Sequence, residues 1–302
     1  MDELLLNISD IRISIHSEVL PIHQEEDLAY LAFAESEKLR GVAPDMQVEL
    51  EVGEPQSVLS WSKAFEDDQS WSIYKRGEEY AMHFEPDKHG VEPLWVAYFS
   101  EMCDQIIVKC SKRLICQRNG ERGLLNPVRY PLDQHLIMYH LANKRGILIH
   151  AAGLMYSGKG WIFPGRSGAG KSTLTRLLSG RKGWYGLSDD RMLIREMDSD
   201  VFCFGTPWPG NEGVAVNEAA SLSGVFFLSH GKENAIHKLS PQEAIQKLIP
   251  VVSIPWYDEK MVANLLQLCA DILSNIPAFE LCFRPSEDVG EFLEEYLISK
   301  LS

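Results

Sequence analysis

Basic residues are scarce in this chain. Lys and Arg number 29 against 43 Asp and Glu, a formal net charge of −14. A surface that grips nucleic acid has to neutralise phosphates with a basic face, so the balance argues against nucleic acid and against an anionic membrane surface as partners. Long apolar runs are missing too. No stretch approaches the ~18 apolar residues of a membrane span, and the opening Met1-Asp-Glu-Leu-Leu-Leu is too acidic and too briefly apolar for a signal peptide. Cysteines are few and spread out, at 103, 110, 116, 203, 269 and 282, with no C-x-x-C pair. That spacing argues against zinc and reads as buried free thiols, which places the chain in the reducing cytoplasm.

The chain does have the makings of a core. Hydrophobic residues are 45% and charged residues 24% of 302, the usual proportions of a globular protein of one large domain or two ordinary ones. Its most informative stretch is Gly165-Arg-Ser-Gly-Ala-Gly-Lys-Ser-Thr, which matches the phosphate-loop pattern G-x-x-x-x-G-K-[ST] at every fixed position. Trp161-Ile-Phe-Pro before it reads as a short buried strand, and Leu174-Thr-Arg-Leu-Leu after it as the first turns of a helix. Gly165, Gly168 and Gly170 let the backbone curl so that successive N–H groups face an anion. Ser167, Ala169 and Thr173 complete the cradle, and the helix start adds free N–H groups and a positive dipole end. Lys171 would reach the outer phosphates and Ser172 would bind a magnesium ion. ATP and Mg²⁺ are the expected cofactors.

Residues 1–130 read as a small, mainly β domain. Ile11-Arg-Ile-Ser-Ile and Gln47-Val-Glu-Leu-Glu-Val alternate apolar and polar. Trp71-Ser-Ile-Tyr, Tyr80-Ala-Met-His-Phe, Trp95-Val-Ala-Tyr-Phe and Gln105-Ile-Ile-Val-Lys-Cys are further strands, separated by turns such as Asp87-Lys-His-Gly and Arg118-Asn-Gly. One helix is expected near Asp27 to Leu39. Trp61, Trp71, Tyr74 and Tyr80 read as core aromatics, with a partner-binding face as the other reading. Residues 131–302 form the second domain. It opens with a helix from Pro131, on which His135 and His140 lie five apart and do not share a face for a metal. Two strands follow, Gly146-Ile-Leu-Ile-His-Ala-Ala and Gly153-Leu-Met-Tyr, then the turn Ser157-Gly-Lys-Gly into the loop strand. After the loop helix, Trp184-Tyr-Gly-Leu-Ser is a short strand ending in Asp189-Asp190. Only 18 residues separate Lys171 from Asp189, one helix and one return strand. A right-handed crossover then puts both strands in one parallel sheet, with the acids at the loop's end. There a carboxylate can hold magnesium or take a proton, and either acid can do either. Gly205-Thr-Pro-Trp-Pro-Gly-Asn-Glu-Gly reads equally as a substrate-closing loop or a rigid connector. Ser240-Pro-Gln-Glu carries a capping box, and Tyr257 to Asn275, Ala278 to Phe283 and Ser286 to Ser299 are a helix, a strand and a closing helix.

Ile149-His150-Ala-Ala-Gly, the glycine loop and Leu187-Ser-Asp-Asp-Arg191 together resemble the catalytic half of bacterial HPr kinase/phosphorylase, over roughly residues 131–300. The resemblance implies an α/β P-loop kinase domain with a mixed sheet, similar to the nucleotide-binding core of phosphoenolpyruvate carboxykinase, preceded by the mainly-β (α+β) domain. It implies a functional His150 beside the loop, where the residues alone suggest a satisfied core histidine. It implies catalytic roles for Lys171, Asp189 and Asp190. Asn211-Glu-Gly-Val-Ala-Val lies where that family's Glu-Ile-Arg-Gly-Leu-Gly signature falls, which implies Glu212, with Ser172 and Asp190, as a metal ligand. Divergent members of the group act on peptides, including the C-terminal serine of lasso-peptide precursors.

The expectation is a kinase moving the γ-phosphate of ATP to a hydroxyl, a serine of a small protein or peptide first. A free amino acid or sugar is the alternative acceptor within the class. A nucleotide-gated regulatory module without transfer is the alternative outside it, disfavoured because a sensor needs no spare base. A homo-oligomer is left open.

Overall fold

Strand alternation sets the first half of the chain. In the computed structural model, which describes residues 2–23, 28–35, 43–55, 58, 60–67, 70–86 and 92–301, the first strands are β1 (Asp2–Ile8) and β2 (Ile11–Ser17), joined by the left-handed pair Ser9 and Asp10. Then come β3 (Ile22–His23), a single helical turn α1 (Leu28–Leu31), β4 (Met46–Val52), β5 (Ser62–Glu66), β6 (Trp71–Arg76), β7 (Glu79–Phe84), β8 (Trp95–Ser100) and β9 (Gln105–Cys110). β4 shows why a strand forms: Met46, Val48 and Leu50 point inward while Gln47, Glu49 and Glu51 face water. Eight strands make one mixed sheet in the order β1-β2-β4-β9-β8-β7-β6-β5. β10 (Ile115–Arg118), β11 (Glu121–Leu125) and β3 make a second, and α2 (Leu132–Asn143) closes this unit, Met1–Asn143.

Of the helix expected near Asp27 to Leu39, the described residues hold only the four-residue α1; Asp27 and residues 36–42 lie outside them, as does the turn Asp87-Lys-His-Gly. Tyr74 and Tyr80 are buried, whereas Trp61 and Trp71 are half-buried. The Arg76 guanidinium lies 4.3 Å from the Trp61 ring centroid. His135 packs edge-on to Trp71, and burial pushes its imidazole down to about 4. Four of the six cysteines are buried.

The second unit, Lys144–Ser302, is a mixed α/β body. Its elements are β12 (Gly146–Tyr156), β13 (Lys159–Pro164), α3 (Lys171–Ser179), β14 (Trp184–Ser188), β15 (Arg191–Met197), β16 (Asp200–Phe204), β17 (Ala219–His230), β18 (Ala235–Lys238), α4 (Pro241–Leu248), α5 (Glu259–Asn275), β19 (Ala278–Phe283) and α6 (Asp288–Leu301). The stretch read as two strands around Gly153 is one eleven-residue strand, β12. Its first half pairs with β15 and its second with β13 and β14. Gly153 continues the strand because a side chain there would run into Met192, its Cβ lying 2.4 Å from the sulfur. β17 is shared in the same way, passing from β16 to β13 and then to β19. The ladders β12–β13–β17–β16–β15 therefore close into a ring.

Packing against the sheet explains α3 and α6. Leu174 and Leu178 of α3, with Val289, Leu293 and Leu297 of α6, bury against Phe163, Phe226, Phe279 and Phe283. Phe226 stacks on Phe163 and Phe279 at centroid distances of 5.7 and 5.0 Å. Each buried side chain of this size contributes about 1.5–3 kcal/mol, so this layer fixes the helix that follows the glycine loop. Ser240 and Glu243 form the expected capping box of α4. Among the described residues, no helix is long and apolar enough to cross a membrane.

Candidate functional site

The site assembles at one sheet edge, and strand register shows why. Pro164, the last residue of β13, pairs with Ala151, and Ser188, the last of β14, pairs with Gly153. β13 and β14 thus run the same way on either side of β12. The expectation of one parallel sheet is corrected here: β13 and β14 are parallel to each other, but antiparallel β12 stands between them. The consequence for the site is unchanged, because the glycine loop and Asp189-Asp190 leave the sheet at the same end. His150 sits between them, its carbonyl accepting from Gly165 N–H at 3.3 Å. On the other side of β13, parallel β17 and β19 end there too, at His230 and Phe283.

The loop is held in a curled form. Gly168 and Gly170 have φ of 83° and 100°, and Gly170 caps α3. A side chain at Gly170 would put its Cβ 2.8 Å from the Phe283 ring. Ala169 N–H donates to the Arg166 carbonyl at 3.1 Å, closing a turn. Lys171 is only 7% exposed. Its Nζ folds onto the loop, donating to the carbonyls of Gly165 at 2.8 Å and Arg166 at 3.4 Å. Burial lowers its pKa from the ordinary lysine value, Asp190 and Asp189 working against that and Arg191 with it. Ser172 and Thr173 open the helix and line the same cleft.

The two acids part company. Asp189 is 1% exposed. Its Oδ1 accepts from the N–H groups of Gly210 at 2.8 Å and Val214 at 3.1 Å, and its Oδ2 from Glu212 N–H at 2.7 Å. Asp190 instead faces His150, Oδ1 to Nε2 at 2.8 Å, with Arg191 Nε 3.5 Å from Oδ2. Burial pushes the Asp190 carboxyl up, but the His150 hydrogen bond, and then the charges of His150, Arg191 and Lys171, outweigh it and leave it below its ordinary value.

The loop after β16 is tied to its neighbours by hydrogen bonds. Asp189 holds it by three bonds, Val216 N–H donates to the Leu187 carbonyl at 3.1 Å, and Thr206 Oγ1 donates to the Arg191 carbonyl at 2.7 Å. Gly210 has to be glycine, since a Cβ would lie 2.9 Å from Asp189 Oδ2. Of the two readings of residues 205–213, the connector fits these bonds.

His150, Ser167, Gly168, Gly170, Lys171, Ser172, Thr173, Asp189 and Asp190 all border one cleft of about 540 Å³, with Gly210, Asn211 and His230. Glu212 does not border it: its carboxylate turns toward Arg176, 3.8 Å away. His230 is a cleft residue that no local pattern marks, because only the β13–β17 pairing brings it there. The free N–H groups of the loop and helix start can take an anion. Among the described residues, no group of three or more His, Cys, Asp or Glu could hold a metal ion alone. An ion here would be one that keeps waters and phosphate oxygens, as magnesium does.

Comparison with known proteins adds a family. The model of the SynChlorMet cassette protein ScmC matches residues 116–286, more than half of the chain. No curated protein matches. Among solved structures, the Hpr(Ser) kinase/phosphatase from Coxiella burnetii is similar at 12% identity and a TM-score of 0.32, over 51% of this chain and 89% of that one. A likeness at that level establishes neither a common fold nor a common activity.

Proposed function

The chain belongs to the SynChlorMet cassette protein ScmC family, and from the chemistry of its cleft we propose that it is an ATP-dependent phosphotransferase acting on a hydroxyl, a serine of a small protein or peptide. The observation that carries the proposal is the facing pair: a glycine loop with a buried lysine on one wall, and the hydrogen-bonded His150–Asp190 on the other.

The loop N–H groups and Lys171 would bind the phosphates. To do so, Lys171 exchanges its two loop carbonyls for phosphate oxygens, which accept more strongly because they are charged. Ser172, with Asp190 across the cleft, offers the all-oxygen donors that suit Mg²⁺. When bound, that ion neutralises phosphate charge. Asp190 would orient the acceptor hydroxyl and take its proton, and His150 holds the carboxylate in place. A carboxylate below its ordinary pKa is a weak base, but phosphoryl transfer passes through a loose transition state that asks mainly for positioning. Asp189 is left out of this chemistry, since its oxygens are engaged by backbone N–H groups. Its work is to set the wall that keeps Asp190 facing inward.

The test is γ-³²P-labelled ATP with Mg²⁺ and an extract of the host, peptides included, followed by mass spectrometry. The expected outcome is a labelled hydroxyl on a peptide or protein, absent with the Lys171→Met variant. ATP hydrolysis with no labelled acceptor would contradict the proposal and favour a nucleotide-gated switch.

A further inference from the structure

His230 is a cleft-bordering side chain that the chemistry above does not use. It is exposed at the end of β17, and its Nε2 lies 3.0 Å from the carbonyl oxygen of Gly168. A carbonyl only accepts, so Nε2 carries the hydrogen. The peptide joining Gly168 to Ala169 is thereby fastened at both ends: its carbonyl by His230, and its N–H by the Arg166 carbonyl at 3.1 Å. C=O and N–H point opposite ways across a trans peptide, so this plane cannot turn without losing both bonds. It sits in the middle of the loop, between the two left-handed glycines. Glycines explore backbone space most freely, so this is where the loop would otherwise lose its curl. His230 is well placed to hold it. β17 pairs with β13 over residues 222–225 and with β19 from Val225 to its end, where His230 pairs with Phe283, whose ring backs Gly170.

We infer that His230 is a positioning residue for the phosphate loop: by holding the Gly168 carbonyl outward it keeps the loop shaped for a nucleoside triphosphate before one binds. This rests on the phosphotransferase reading for its ligand, but not for its geometry.

The test compares His230→Gln, which keeps an N–H donor at similar reach, with His230→Phe, which keeps a ring without one. Two readouts are taken: amide hydrogen exchange at Ala169 and its neighbours without nucleotide, and Mg·ATP affinity by titration. The Phe variant is expected to exchange at least tenfold faster at Ala169 and to bind Mg·ATP about tenfold more weakly, with a smaller change in kcat. The Gln variant should stay within about threefold of wild type in both. Equal behaviour of Phe and wild type would overturn the inference, as would a Gln variant as impaired as Phe. His230→Ala repeats the comparison if the Phe variant does not fold. If no form binds Mg·ATP while the exchange difference stands, the phosphotransferase reading fails and the clamp survives.

Discussion

The glycine loop has two flanks, and they differ in kind. On one, β14 leads into two adjacent acids and β12 carries His150, and of these His150 and Asp190 face each other in the cleft. On the other, β17 and β19 deliver His230 and Phe283, which touch the loop itself. The contrast is repeated on a smaller scale between Asp189 and Asp190. Neighbours in the two-residue bend between β14 and β15, they face different ways: one turns into the protein and binds three N–H groups, the other turns to His150 in the cleft. Residue type supplies the candidates; which way the bend after β14 presents them separates their surroundings.

The sharpest way to break this comparison is to neutralise each acid alone. Asp190→Asn is expected to slow phosphotransfer by about 10²–10⁴-fold, the range for a lost acid–base group, while Mg·ATP binding stays measurable and stability nearly unchanged. Because Asp190 lies below its ordinary value, its charge survives as pH falls through about 3.9, where a free aspartate takes up a proton. The acid limb of the rate profile owed to this group therefore falls below that pH, and a loss of rate near pH 5 traceable to Asp190 would contradict its assignment.

Asp189→Asn should show the reverse. Three bonds to a buried carboxylate, each worth about 1.5–3 kcal/mol net when an acceptor is charged, are weakened or lost. An overall cost of about 2–4 kcal/mol is expected in a denaturant titration, because the amide still accepts at one oxygen. If Asp189→Asn unfolds like wild type yet abolishes transfer, the two acids have been assigned the wrong way round.

The other flank is sharpened by Gly170→Ala. A positive φ at a non-glycine residue costs about 1–3 kcal/mol, and here the added Cβ also meets the Phe283 ring at 2.8 Å. The expected result is a destabilisation of about 1–3 kcal/mol by thermal or chemical unfolding, together with weaker Mg·ATP binding.

How far the site could be read in advance follows from the same contrast. The loop and the acid pair are local patterns, and one helix plus one strand between them was enough to put both at one sheet edge. Both halves of β12 were read as strands, but not their continuity or their place between β13 and β14, because Gly153 looks like a break until Met192 is seen packed over it. The division of labour between the aspartates depended on N–H groups 21 to 25 residues further on. His230, 62 residues from Gly168, reaches the loop only through a parallel ladder between β13 and β17, and no spacing in a single sequence announces such a ladder. In the first unit β2, β4, β6, β7, β8 and β9 were legible, β2 and β4 from alternation; β1, β3, β5, β10 and β11 were not read, and β5, mostly exposed, carries no apolar face to mark it. Nothing in their pattern says which face meets a partner.

The phosphotransferase reading stands on the binding of a nucleoside triphosphate by the loop and Lys171. Calorimetric titration of the full-length protein with Mg·ATP, beside the Lys171→Met variant that keeps the buried aliphatic stem, tests it most directly. Saturable one-site binding by wild type, weakened at least a hundredfold in a folded Lys171→Met protein, is the predicted result; equal affinity for both, or no binding by wild type, would contradict it.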